Sequence, residues 1–166
     1  MAQRILVLET SPPVVAALRR LLHGAGFEVE VAAPAASLDG IDPAAFAVAA
    51  REAGASGLLL AVPPYSVPTD KELAQHALAI DKACGLPIML YNNPPAYRVN
   101  IGSEVLEALD GVKNIKAVKE SAPDPRRFTD LINAFGDRYE LFAGLDDVAL
   151  EGLMLGAKGW VSGLTS

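Results

Sequence analysis

Asn114-Ile115-Lys116-Ala117-Val118-Lys119-Glu120-Ser121 is the stretch that decides how this chain is read. Ile115 to Val118 is a short apolar run of strand character. Lys119 closes it, followed at once by Glu120-Ser121 and the turn Pro123-Asp124-Pro125. A lysine at the carboxyl end of a buried strand is unusual, because burying an ammonium is costly unless it is paired or loses its proton. A lysine held neutral is an amine nucleophile able to form a Schiff base with a ketone. The bland alternative is a lysine that reaches solvent or pairs with Glu9 or Glu120.

Outward from this strand the same unit repeats. Strands are expected at Ile5–Leu8, Glu28–Val31, Leu58–Val62, Ile88–Tyr91, Ile115–Val118, Glu140–Ala143 and Gly159–Val161. Amphipathic helices are expected at Pro12–His23, Pro43–Ala53, Thr69–Cys84, Ser103–Leu109, Pro125–Phe135 and Asp146–Leu155. In the first of these, Val14, Val15, Leu18, Leu21 and Leu22 share one face, Ser11 caps the start, and Gly24 and Gly26 stop it. Apolar strands alternating with helices predict an α/β fold with a parallel sheet covered by helices. Ligands in such sheets sit beyond the carboxyl ends of the strands. Those ends carry Glu9-Thr10, Pro63-Pro64-Tyr65, Tyr91-Asn92-Asn93-Pro94, Lys119-Glu120-Ser121, Gly144-Leu145-Asp146-Asp147 and Ser162-Gly163.

Composition narrows the function classes. The 166 residues suit one domain with a real core. Twenty acids against fourteen bases leave a net charge of −6, which argues against nucleic acid or an anionic membrane as main partner. The mean hydropathy is +0.28, yet no apolar run reaches transmembrane length. The start Met1-Ala-Gln-Arg-Ile-Leu-Val-Leu8 reads as a first strand rather than a signal peptide, so a cytoplasmic location is expected. A single cysteine, Cys84, allows no internal disulfide, and His23 and His76 stand far apart without zinc spacing. No metal and no cofactor are expected.

From about Asp42 onward the chain resembles the pyruvate-dependent lysine aldolases and lyases of the dihydrodipicolinate synthase / N-acetylneuraminate lyase family. The matching pieces are Ala53-Gly-Ala-Ser-Gly-Leu-Leu-Leu60, Pro63-Pro-Tyr65, Leu86-Pro-Ile-Met-Leu-Tyr-Asn-Asn-Pro94, Ile115-Lys-Ala-Val-Lys-Glu-Ser121, Ala143-Gly-Leu-Asp-Asp147 and Gly156-Ala-Lys-Gly-Trp-Val-Ser-Gly163. They stand in the family's order and spacing. The Tyr-Asn-Asn-Pro form and the Gly-Trp-Val-Ser-Gly ending look most like the branch that deaminates a hydroxypyrroline carboxylate. The resemblance implies a (βα) barrel, of which the chain covers the last five strands. It implies Lys119 as the Schiff-base lysine, Tyr91 as a proton-relaying phenol, and Tyr65 as the residue that completes the relay. The family's early Gly-Thr-Thr-Gly-Glu-type turn, which holds the substrate carboxylate, has no counterpart here.

The opening, Arg4-Ile-Leu-Val-Leu-Glu-Thr-Ser-Pro-Pro13 through Gly26-Phe-Glu-Val29, is similar instead to a response-regulator receiver, a flavodoxin-like fold. Its acidic pair is reduced to Glu9-Thr10, and Val62-Pro63 stand where the phosphoacceptor aspartate would be, so receiver signalling is not expected. The two resemblances together suggest a designed chimera: residues 1–41 flavodoxin-like, 42–166 derived from a half TIM barrel, one domain of about seven βα units. A closed or dimer-completed barrel is the alternative. The functional reading that follows is a fold scaffold without physiological catalysis, carrying a vestigial site at Lys119, Tyr91 and Tyr65. The alternative is a lysine-dependent lyase, aldolase or deaminase acting on a small 2-keto acid such as pyruvate, or on a pyrroline carboxylate. Self-association through an unpaired sheet edge is a further expectation. Asp146 and Asp147 are expected to cap a helix, and Met154 and Trp160 to lie in the core.

Overall fold

The short apolar runs become strands of one parallel sheet. The computed structural model describes residues 4–7, 28–31, 42–62 and 67–163. The strands are β1 (Arg4–Val7), β2 (Glu28–Val31), β3 (Leu58–Ala61), β4 (Ile88–Asn92), β5 (Ile115–Glu120), β6 (Glu140–Ala143) and β7 (Gly159–Trp160). Their order in the sheet is β2-β1-β3-β4-β5-β6-β7, and every neighbouring pair is parallel. Among the described residues no pairing joins β7 back to β2. The described helices are α1 (Pro43–Glu52), α2 (Asp70–Cys84), α3 (Pro94–Tyr97), α4 (Ser103–Ala108), α5 (Arg126–Phe135) and α6 (Ala149–Met154). The helix expected at Pro12–His23, with Glu9 and His23, lies outside the described residues, as does Tyr65.

Helix α2 shows how local sequence sets an element. Thr69 accepts from the Glu72 amide while the Glu72 carboxylate accepts from the Thr69 amide, a reciprocal cap that satisfies two otherwise orphaned donors. Leu73, Ala74, Ala77, Ile80 and Cys84 recur on one face and are all buried. Gly85 ends the helix at φ 63°, a left-handed conformation that costs glycine nothing. Leu60 and Leu90 of the sheet meet this face, together with Val105 and Leu109 from α4 and the turn after it.

The register assigns every strand residue to a face. Leu60, Leu90, Val118 and Leu141 align across β3 to β6 and are all buried on the side of the helices. Ala61, Tyr91, Lys119 and Phe142 align one position further on and share the opposite face. Lys119 therefore stands in the strand itself, since β4 and β5 run on to Asn92 and Glu120, beyond the expected ends at Tyr91 and Val118.

Those longer strands are explained by what lies on the helix face. Asn92 and Glu120 are register partners, 0% and 1% exposed. Asn92 Nδ2 donates to Glu120 Oε1 at 2.8 Å and Oε2 at 3.0 Å, and the Ala122 amide donates to Oε1 at 2.8 Å. Arg127, from α5, donates to Oε2 through Nε at 3.2 Å and Nη2 at 3.0 Å, and Nη2 also reaches the Ile101 carbonyl at 2.8 Å. The Ile101 amide in turn donates to Asn92 Oδ1 at 2.8 Å. A buried carboxylate is tolerated only when so fully paired. Arg138 pins the turn that feeds β5, donating to the carbonyls of Leu109, Asp110, Val112 and Ile115 while stacking on Tyr139.

Two expected core residues are not in the core. Met154 is 81% exposed and Trp160 is 41% exposed. Helix α6 turns its small residues to the sheet: a side chain at Gly152 would press tightly on Phe128 and Ala143, and Ala149 is buried. Its large residues Leu150, Leu153 and Met154 consequently point outward. Asp146 and Asp147 do not cap it either, because α6 begins after Val148 and has no side-chain cap. His76 is half-buried and borders a small apolar gap beside Leu60, Val62, Leu73 and Leu90. No helix among the described residues is long and apolar enough to cross a membrane.

Two outcomes follow for stability. Arg127→Met leaves the Glu120 carboxylate buried without its cation and lowers the unfolding free energy in urea by about 3–5 kcal/mol, with a smaller loss in the double variant Glu120→Gln/Arg127→Met; a single-variant loss below about 1 kcal/mol would rule out this network as the clamp. Burial holds the His76 imidazole below its usual 6.5. The unfolded chain then binds the proton more readily, so the stabilisation is present above pH 6.5 and is lost as pH falls through the folded value. The Tm of His76→Leu should therefore drop less than that of the unsubstituted chain between neutral pH and pH 5.5.

Candidate active site

The site residues stand on one face at the carboxyl ends of β4, β5 and β6. Lys119 is 5% exposed and Tyr91 is 6% exposed. They are direct register partners, and Lys119 Nζ lies 4.0 Å from the centroid of the Tyr91 ring. An ammonium over a phenol face is attracted to the ring quadrupole, more strongly where water is excluded. Tyr91 is fixed from two sides. Its ring meets Tyr97 edge-on with centroids 5.7 Å apart, and its hydroxyl oxygen accepts from Asn93 Nδ2 at 2.9 Å. Together these two contacts set where the phenol stands over the Lys119 amine.

One position further along the strands comes a second row. The Ser121 amide donates to the Asn92 carbonyl and the Gly144 amide to the Glu120 carbonyl, so the ladder brings Asn93, Ser121 and Gly144 above Tyr91, Lys119 and Phe142. A side chain at Gly144 would strike the Ser121 hydroxyl and come within 3.0 Å of Lys119 Cε and Cγ. Glycine is required here for space. The lysine stem and the serine hydroxyl occupy the room its missing side chain leaves. On the far side, Asp146 ties the end of β6 to the end of β7. Its carboxylate accepts from Trp160 Nε1 at 3.0 Å, Ser162 Oγ at 2.9 Å and the Gly163 amide at 2.9 Å.

The sequence expectations divide accordingly. Lys119 and Tyr91 are brought together. Glu120 is not the partner of Lys119: neighbouring residues of a strand point to opposite faces, and Glu120 belongs to Arg127. The Tyr91 hydroxyl is held by Asn93. Asn93, Ser121 and Gly144 were named among the strand-end residues but given no role, although counting two residues on from Tyr91 and Lys119 places Asn93 and Ser121 on their face. Among the described residues no three His, Cys, Asp or Glu side chains gather as they would around a metal ion.

Comparison with known proteins bears on this arrangement. Residues 19–166 match the Dihydrodipicolinate synthetase family. The 4-hydroxy-tetrahydrodipicolinate synthase of Psychrobacter sp. (strain PRwf-1) is 42% identical over 113 residues, which are 68% of this chain and 37% of that protein. The enzyme of the same name from Sorangium cellulosum (strain So ce56) is 32% identical over 148 residues, 89% of this chain and 49% of that protein. The crystal structure of dihydrodipicolinate synthase from Aquifex aeolicus superposes with a TM-score of 0.73 at 26% identity, covering 96% of this chain and 58% of that one. A second, the chloride-inhibited synthase from Acinetobacter baumannii complexed with pyruvate, gives 0.73 at 27% identity over the same 96% of this chain and 58% of that one. The chain thus spans less than half the length of these two curated relatives. The family match starts at residue 19, inside the segment that resembles a receiver, and nothing in these comparisons supports the receiver or a chimera. The chain belongs to the dihydrodipicolinate synthetase family.

Proposed function

We propose that this chain carries the lysine half of a Schiff-base lyase site for a small 2-keto acid of the pyruvate class. The observation that carries the reading is the Lys119–Tyr91 pair, both buried, at the carboxyl ends of adjacent strands with the amine over the phenol ring. In this reading the Lys119 amine attacks the keto carbon, the keto oxygen departs as water, and a protonated imine joins Lys119 to the substrate. That imine withdraws electrons from the neighbouring carbon, which eases making or breaking a carbon–carbon bond there. Tyr91 gives and takes the protons these steps need, its ring held by Tyr97 and its oxygen by Asn93. Tyr65, outside the described residues, is proposed to complete the relay. A hydroxypyrroline carboxylate as substrate rests only on the Tyr91-Asn-Asn-Pro94 and Gly159-Trp-Val-Ser-Gly163 wording. The relatives' name and the pyruvate complex of one of them support the lyase reading over a scaffold without activity.

We also propose a cytoplasmic location and a single domain over 1–166. Self-association is proposed through the β7 edge, where Trp160 and the outward face of α6 leave apolar surface exposed. A second reading concerns residues 1–41. The order β2-β1-β3 suits a doubly wound, flavodoxin-like start joined to a half barrel, since a barrel would run β1-β2-β3. The family match reaching back to residue 19 weighs against a foreign origin for that segment.

Incubation with pyruvate and borohydride should leave a reduced pyruvyl group on Lys119, located by peptide mass spectrometry, and none in Lys119→Ala. Tyr91→Phe should keep the adduct but form it about a hundredfold more slowly. No adduct even at saturating pyruvate would defeat the lyase reading.

A further inference from the structure

Ser121 stands out among the buried polar groups described. It is 0% exposed, and its Oγ has no hydrogen-bond partner. Buried hydroxyls are nearly always paired, because leaving one unpaired forfeits its hydration with nothing in return. The neighbouring buried groups obey this rule: Asn92 and Glu120 are fully engaged on the helix face. Ser121 is on the other face, two residues past Lys119. Its hydroxyl occupies the space above the Gly144 backbone, the same space that Lys119 Cγ and Cε border. Among the described residues the chain thus keeps an unsatisfied hydroxyl next to the stem of Lys119, and residue 144 has no side chain to fill the space it takes.

We infer that the Ser121 hydroxyl is the donor for the keto oxygen of the substrate during attack by Lys119. This inference rests on the lyase reading. As Nζ forms its bond to the keto carbon, the carbon–oxygen π pair moves onto oxygen, and that oxygen becomes a strong acceptor. Ser121 Oγ–H donates to it and keeps its own proton. The proton shed by the attacking nitrogen passes to that oxygen and gives the carbinolamine; the proton that Lys119 gave up before attack, returned through Tyr91, lets the oxygen leave as water while the nitrogen lone pair forms the carbon–nitrogen double bond. An unpaired donor already in place strengthens its bond as charge develops and requires no reorganisation at that moment.

The inference makes a paired prediction that a structural role does not. Removing an orphaned buried hydroxyl relieves the folded state, so Ser121→Ala should have an unchanged or higher Tm. The same substitution should slow borohydride trapping of pyruvate at saturation by about tenfold or more, with a smaller change in the half-saturating pyruvate concentration. Equal trapping rates in Ser121→Ala and the unsubstituted chain overturn the inference and leave the lyase reading intact. A lowered Tm in Ser121→Ala overturns it in favour of a packing role. Absence of any adduct in the unsubstituted chain overturns the lyase reading and this inference with it.

Discussion

The buried Glu120 carboxylate is the constraint on which the site depends. It is surrounded by donors from three parts of the chain: Asn92 at the end of β4, Arg127 on α5, and the Ala122 amide just past its own strand. Through Asn92 it also reaches Asn100 and the Ile101 amide, so the connection between α3 and α4 is tied in. A strand end normally frays where its ladder stops. Here the ladder is extended by side chains on the helix face, and the opposite face inherits the order. The register of Tyr91 and Lys119 is reinforced because their chain neighbours Asn92 and Glu120 are locked together behind them. Charge and chemistry are separated by the strand: the paired ions face the helices and the amine faces the side where a ligand would approach.

How much of this was legible in the sequence differs by the physics involved. The parallel sheet was readable because apolar runs bounded by caps and glycines are local signals, and six of the seven expected strands agree with the structure to within one residue at either end. The seventh, β5, was expected at Ile115–Val118 and differs because its last two residues are polar; a lysine and a glutamate look like a strand terminus until their long-range partners are known. Arg127 carries no mark that distinguishes it from Arg126, which forms only an exposed local pair with Asp124. The α6 error has the same origin. Leu150, Leu153 and Met154 form an apolar stripe, but which face of a helix meets the sheet is decided by close approach, and Gly152 and Ala149 win that contact through being small. Asp146 was read as a cap from its position before a helix, whereas its three donors come from fourteen or more residues further along the chain.

The N-terminal segment illustrates a limit of unit-by-unit resemblance. A right-handed βαβ unit is common to barrels and doubly wound sheets, so its sequence pattern carries little information about which of the two it belongs to. What separates them is strand order, a property of the whole sheet. The parallel pairing of β1 with both β2 and β3 is therefore informative where the receiver-like wording of Arg4–Val29 is not. The family match, which starts at residue 19, shows how weakly a single βα unit separates one ancestry from another.

Gly144 and Ser121 bring the stability and the chemistry into opposition. A fold selected for stability alone would fill the space over residue 144 with a methyl group and place an apolar side chain at 121, satisfying both packing and desolvation. The chain does neither. It accepts an unpaired hydroxyl in a buried position next to the stem of a buried lysine, while on the helix face the polar network around Glu120 is complete. Unsatisfied polarity on one face of a strand and full satisfaction on the other is not what random tolerance would produce, since the same burial penalises both. The asymmetry follows the row that holds Lys119, which is why the proposed lyase chemistry is placed on that face.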